Sequence, residues 1–172
     1  MPELSLVSKQ QLRHLKRQVQ QRLKTCLKIA EQYFQRDFLL PQVSYQVRGL
    51  KAGVAYLQQW QIRLNPLLLL ENPTDFIQQV VPHELAHLIV YACYGNVRPH
   101  GKEWKFVMEQ LFHLKSDVYH QFDITNVQGK TFAYSCHCQT HYLSLRRHNR
   151  VIRQQAIYHC KQCNSQLQYQ AE

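Results

Sequence analysis

A chain of 172 residues has room for one ordinary domain plus a small appended module, and with 45% apolar and 19% charged residues it can bury a core, which excludes global disorder. Its 21 Lys and Arg against 11 Asp and Glu leave a formal charge of +10, a field that suits polyanionic partners, nucleic acid first, and equally a solvated basic face with no dedicated partner. The first ten residues hold no signal-like apolar segment and the aliphatic run 67–70 cannot cross a bilayer, so a cytoplasmic protein with no membrane partner is expected, its six Cys serving as metal ligands or buried apolar residues and not as disulfides.

The charge is concentrated in two stretches. Lys9, Arg13, Lys16, Arg17, Arg22, Lys24 and Lys28 have no acid among them, and between Asp123 and Glu172 there is again none. In chain order, Ser8 with Gln11 fits a capping box, and Leu12, Leu15, Val19, Leu23, Leu27, Ala30 and Phe34 recur at helical spacing. A long amphipathic helix should therefore open the fold. Val43, Tyr45 and Val47 alternate, Gly49 and Gly53 punctuate, and Trp60, Ile62 and Leu64 alternate again, which predicts two or three antiparallel strands.

Asn72 ahead of Pro73 starts a helix that runs to about Tyr94 and stops near Gly95; Pro82 either kinks it or sits in the first turn of a restarted helix. Trp104, Val107, Met108, Leu111 and Phe112 space another helix. Beyond Lys130 the pattern changes to short alternating strands with Cys and His at the turns. A boundary near Asn126 divides the chain into domains 1–126 and 127–172.

Within the second predicted helix, His83-Glu84-Leu85-Ala86-His87 is an H-E-x-x-H motif. Residues four apart share a helical face, so both imidazoles can reach one tetrahedral Zn²⁺, and Glu84, beside the first ligand, can reach a water on that metal as catalytic base. A catalytic zinc keeps three protein ligands and an open position, and four residues compete for the third place: His100, Glu103, Glu109 and His113. His113 reads better as an ordinary packed histidine. Val90 and Cys93 stand where the metzincin pattern needs Gly and His, which argues against that family.

Near the C-terminus, Cys160 and Cys163 have the C-x₂-C spacing of a zinc knuckle. The other half is irregular: Cys138 and His141 have the regular spacing and make the preferred set Cys138, His141, Cys160 and Cys163, with Cys136 as alternate. A module this short needs a structural metal to be ordered. Between the half-sites, Arg146, Arg147, Arg150 and Arg153 would display cations on a ribbon edge or turn, with Tyr134, Tyr142 and Tyr158 as stacking faces for single-stranded bases or as a small core.

The H-E-x-x-H run followed by Pro99-His100-Gly101-Lys102-Glu103-Trp104 resembles the SprT-like metalloprotease family, which includes the Spartan proteases. The run from Tyr134 through Cys138, the cluster Arg146 to Arg150, and Tyr158 through Cys163 are similar to that family's C-terminal zinc ribbon. The resemblance implies an α+β, compact zincin-like metalloprotease domain, with His83, His87 and His100 as zinc ligands and Glu84 as catalytic base. It also implies protein substrates associated with DNA, either single-stranded or as DNA–protein crosslinks. Two zinc ions are expected, one catalytic and one structural. The rival readings are a nucleic-acid-binding protein whose H-E-x-x-H zinc is structural, and a hydrolase of some non-peptide amide or ester.

Overall fold

The computed structural model describes residues 6–118, 122 and 129–170. Helix α1 (Leu6–Phe34) buries Leu15, Val19, Leu23, Cys26, Leu27 and Ala30 along one stripe, and most of its Lys and Arg side chains face solvent. It is already helical at Leu6, so Ser8 lies inside the helix and is not its N-cap. Among the described residues no helix is long and apolar enough to cross a membrane. The chain divides into two units, Met1–Val127 and Gln128–Glu172; Asn126, where the sequence suggests a boundary, lies outside the described residues.

In the first unit, strands β1 (Gln42–Ser44), β2 (Gly53–Tyr56) and β3 (Gln61–Leu64) form a sheet of order β1-β3-β2. The antiparallel expectation fails for one pair: β3 runs antiparallel to β2, with Ala55 opposite Ile62, but parallel to β1, with Val43 opposite Ile62. The excursion between β1 and β2 carries the chain across the sheet, so β3 returns between them. Alternation within a strand carries no information about that crossing.

Buried Asn65 then caps a short helix, α2 (Pro66–Glu71), that the sequence reading did not anticipate. Its side-chain oxygen accepts from the N–H groups of Leu67 at 3.1 Å and Leu68 at 3.4 Å, while its amide donates to the carbonyls of Gly49 at 2.9 Å and Lys51 at 3.1 Å. One side chain thus both starts a helix and ties down the segment leading into β2.

The predicted helix from Pro73 is three pieces. One turn, α3 (Pro73–Asp75), passes into a π turn over Phe76–Val80, and α4 (Val81–Tyr94) follows with Pro82 in its first turn. Proline has no N–H to donate and would clash with the preceding turn of a continuous α-helix; the wider turn, closed by Val81 N–H to Phe76 C=O, accommodates it. Helix α4 buries Leu85, Leu88 and Ile89 in the core shared with α1, β2 and β3, and each such side chain contributes about 1.5–3 kcal/mol. Helix α5 (Lys102–Phe106), continued by a second π turn over Val107–Leu111, buries Trp104, Val107 and Met108 in the same core.

The second unit is a small sheet. Strands β4 (Thr131–Ser135) and β5 (Thr140–Ser144) form a hairpin, and β6 (Gln168–Tyr169) pairs with the other edge of β4. Its core is four buried side chains, Tyr134, Leu143, Cys160 and Leu167. The expected turn of cations is instead a helix, α6 (Leu145–Ile152), seated by Val151 and by His148. The His148 ring stacks on Phe132, with centroids 3.7 Å apart, and its Nδ1 lies 3.1 Å from the Tyr134 hydroxyl.

Candidate metal centres

His83 and His87 project from one face of α4, as their spacing requires, and a tight turn brings His100 to them. Gly101 N–H donates to Arg98 C=O at 3.0 Å, Pro99 fills the second position of that turn, and His100 takes the third with φ of +54°. That left-handed position normally suits glycine and costs a histidine about 1–2 kcal/mol, so the core on either side of the turn holds the ring in place against local strain. The three Nε2 atoms are 3.3 Å (His83 to His87), 3.1 Å (His87 to His100) and 3.1 Å (His83 to His100) apart. Nitrogens about 2.0–2.1 Å from one tetrahedral zinc stand about 3.3–3.4 Å apart, so this donor set fits the ion closely.

Trp104 backs all three rings. Its centroid is 4.7 Å from His83 and from His100 and 5.6 Å from His87, and its Nε1–H donates to the His83 carbonyl at 3.3 Å. Burial, with His83 and His100 beside it, holds His87 down at about 3, and burial lowers His100 as well. Both rings therefore stay neutral, the state that ligates a metal.

The other candidates for the third place lie elsewhere. Among the described residues no carboxylate joins the histidine group: Glu103 pairs with Lys102 at 3.9 Å, and Glu109 accepts from the Ser116 hydroxyl. His113 is exposed and not packed on the apolar side, because the helix ends before it: Phe112 is the cap and His113 turns the chain away with φ of +53°.

Glu84 points from α4 toward β2 and is buried, with 7% of its surface exposed. Burial pushes its carboxyl up to about 7, against the N–H of Ala55 and the charge of Lys51, which draw it down. The ladder explains why Ala55 is free to donate. Asn65 N–H bonds the Ala52 carbonyl opposite it at 2.8 Å, so by alternation Val54 and Tyr56 bond across to β3 while Gly53 and Ala55 turn theirs to the outer edge.

In the second unit Cys136, Cys138, Cys160 and Cys163 converge, with their sulfurs within 4.8 Å of one another. Cys136 and Cys138 sulfurs are 3.4 Å apart and Cys138 and Cys160 are 3.7 Å apart, near the roughly 3.8 Å that four thiolates about 2.3 Å from a tetrahedral zinc would show. Cys136 thus takes the place that the regular spacing assigned to His141. The hairpin tip, closed by Cys136 N–H to Gln139 C=O at 3.1 Å, presents residues 136 and 138 together, whereas His141 is held in β5 opposite Tyr134 with its Nε2 3.3 Å from the Cys136 sulfur. Backbone N–H groups of Cys163 and Gln162 draw the Cys160 thiol down to about 5, and the Ser165 hydroxyl and N–H lower Cys163, favouring thiolates at those two positions, whereas contacts with Cys136 and Cys163 push Cys138 up to about 12.

The arginines divide. Arg146, Arg150 and Arg153 line an open pocket of about 390 Å³ with Asn149 and Gln155, while Arg147 turns its guanidinium over the Tyr158 ring at 5.8 Å. Of the tyrosines proposed for stacking, Tyr134 is wholly buried, Tyr158 packs against the small core, and Tyr142 alone is open, 70% exposed. The sequence reading missed Gly53 and Ala55 as neighbours of Glu84 and saw Trp104 only as a packing residue. Trp104 follows His100 by only four residues, across the start of α5, and could have been sought there; nothing local marks the other two.

Imidazoles on a core helix beside a buried carboxylate, with a separate thiol cluster on a hairpin, define a mixed α/β protein with two candidate metal centres. Comparison with known proteins makes the assignment narrower. The profile of the SprT-like family matches residues 23–122, and that of the SprT-like zinc ribbon domain matches residues 130–170. The chain is 60% identical over 157 residues to Protein SprT of Pasteurella multocida, covering 91% of this chain and 95% of that protein. It is 58% identical to Protein SprT of Actinobacillus succinogenes, over 91% and 92% of the two chains, and 53% identical to that of Vibrio parahaemolyticus, over 84% and 87%. The chain belongs to the SprT-like family and carries its zinc ribbon. No solved structure gives a significant match.

Proposed function

We propose that this chain is a zinc-dependent peptidase of zincin-like architecture, its catalytic unit near residues 1–126 and its ribbon over 127–172. The observation that carries the reading is the convergence of three histidine Nε2 atoms, 3.1–3.3 Å apart, beside a buried Glu84. His83, His87 and His100 would hold the metal. Bound there, zinc supplies Lewis-acid chemistry: it polarises a carbonyl and acidifies water toward a pKa of about 7.

Glu84 takes the proton of the attacking water and delivers it to the leaving amine. Buried in α4 next to the first of the three histidines, the carboxyl is placed to take up a proton and pass it on. The Ala55 N–H orients it, and Trp104 fixes the imidazoles. The reading of the histidine site as a closed structural centre needs a fourth protein ligand. Glu103 is turned to Lys102 instead, which favours an open position.

The second zinc belongs to the four thiols, and the partner of the ribbon is nucleic acid. Support for the latter is the pocket of Arg146, Arg150 and Arg153, in a tail with no acid between Asp123 and Glu172. The substrate class is then protein associated with DNA, met in the cytoplasm. The test is metal analysis with proteolysis of an unfolded protein, with and without DNA. Wild type should carry two zinc equivalents, and Glu84→Gln should keep both yet lose about 10²- to 10⁴-fold in rate. Full activity in Glu84→Gln would overturn the assignment of the base.

A further inference from the structure

Gly53 opens edge strand β2 in extended backbone, a conformation open to any residue. Something other than the main chain therefore excludes a side chain there. A Cβ built on Gly53 would stand 2.8 Å from Cγ, 2.9 Å from Oε1 and 3.1 Å from Cδ of Glu84, far inside van der Waals contact. Beyond Gly53, Ala55 presents its N–H on the same outer edge of the strand and donates to the Glu84 carboxylate. The carboxylate thus lies along the strand edge, with room at residue 53 and a hydrogen bond at residue 55.

We propose that Gly53 is a positioning residue for the reaction: the missing side chain lets Glu84 lie flat against β2, and any Cβ would displace the carboxylate from the Ala55 N–H. The proposal rests on the reading of Glu84 as the base. A shift is the expected response to crowding, because the nearest atoms belong to a side chain with rotatable bonds, whereas the backbones of α4 and β2 are fixed by the core. The histidines project from another face of α4, so the ligand set should not feel the change.

Two measurements on Gly53→Ala test this. In the zinc-loaded protein, kcat should fall about 10- to 100-fold with KM within about twofold. Zinc content and the visible spectrum of the cobalt-substituted protein should stay unchanged. In the metal-free protein a thermal cycle reads the contact with no catalysis: Gly53→Ala should lower the melting temperature by about 3–10 °C beside Glu84 and by almost nothing beside Glu84→Ala, which removes the crowded atoms. An equal shift in both backgrounds overturns the proposal, as does loss of cobalt binding in parallel with activity, which would mean that α4 and not the carboxylate had moved. Should wild type prove unable to cleave protein, the peptidase reading fails, and the thermal cycle still decides whether Gly53 makes the space for Glu84.

Discussion

The two candidate metal centres are held by opposite means. The histidine group is set on α4 and on the turn ahead of α5, both backed by a large apolar core: Leu85, Leu88 and Ile89 anchor α4, and Trp104 backs the rings. The cysteine group has little behind it. The ribbon core is Tyr134, Leu143, Cys160 and Leu167, and one of those four is itself a candidate ligand. In the first unit the fold holds the site; in the second the site must hold the fold.

Metal removal should separate them most sharply. Replacing Cys160 and Cys163 together by Ser should remove one zinc equivalent and leave residues 129–170 without amide protection. Structural zinc in such modules is worth about 10–16 kcal/mol, as much as or more than the roughly 6–12 kcal/mol that four buried side chains supply. Chelation of the histidine site should leave the first unit's exchange protection intact. Hydrogen exchange on both proteins is the measurement, and an ordered ribbon without metal would erase the contrast.

A smaller effect concerns charge inside the first unit. The folded pKa of Glu84, about 7, lies above its ordinary 4.5, so between those values the folded chain keeps a proton that the unfolded chain has released. Stability of the metal-free protein should therefore fall as pH rises through that window, by about 3 kcal/mol at most. His87 acts in the opposite sense. Held at about 3, it stays neutral where the unfolded histidine protonates, so stability falls as pH drops below 6.5. Comparing urea unfolding of wild type and Glu84→Gln isolates the first term: the variant's advantage should be near zero at pH 4 and grow toward pH 8. A gap independent of pH would mean that Glu84 is not desolvated.

The smallest effect distinguishes among the ribbon arginines. If Arg146, Arg150 and Arg153 each meet a phosphate, replacing any one by Ala should reduce the log–log salt slope of duplex DNA binding by about 0.9. Arg147→Ala, whose guanidinium lies over Tyr158, should change the slope by much less. Four equal changes would show that the pocket has no special part in binding.

Local signals reached far in this protein. The α1 stripe, the stop at Gly95, the H-E-x-x-H face and the C-x₂-C knuckle were legible because each depends on a fixed periodicity or on one residue's backbone preference. The strand reading held for Val43, Ile62 and Leu64, but Tyr45, Val47 and Trp60 lie outside the strands, and the β1–β3 direction, which depends on a crossing remote from either strand, was wrong. His141 was preferred over Cys136 because spacing stood in for geometry; a hairpin tip delivers residues two apart to one point.

Sequence alone picked out the candidate site residues: two imidazoles one helical turn apart with a carboxylate next to the first, and thiols in pairs. Tertiary structure alone decided the rest. It brought His100 round a strained turn to the other two rings, laid Trp104 behind all three, and set Glu84 against an edge strand where only glycine leaves room. The reason is range: helical phase and knuckle spacing act over a few bonds, whereas these contacts join segments that meet only when the core closes.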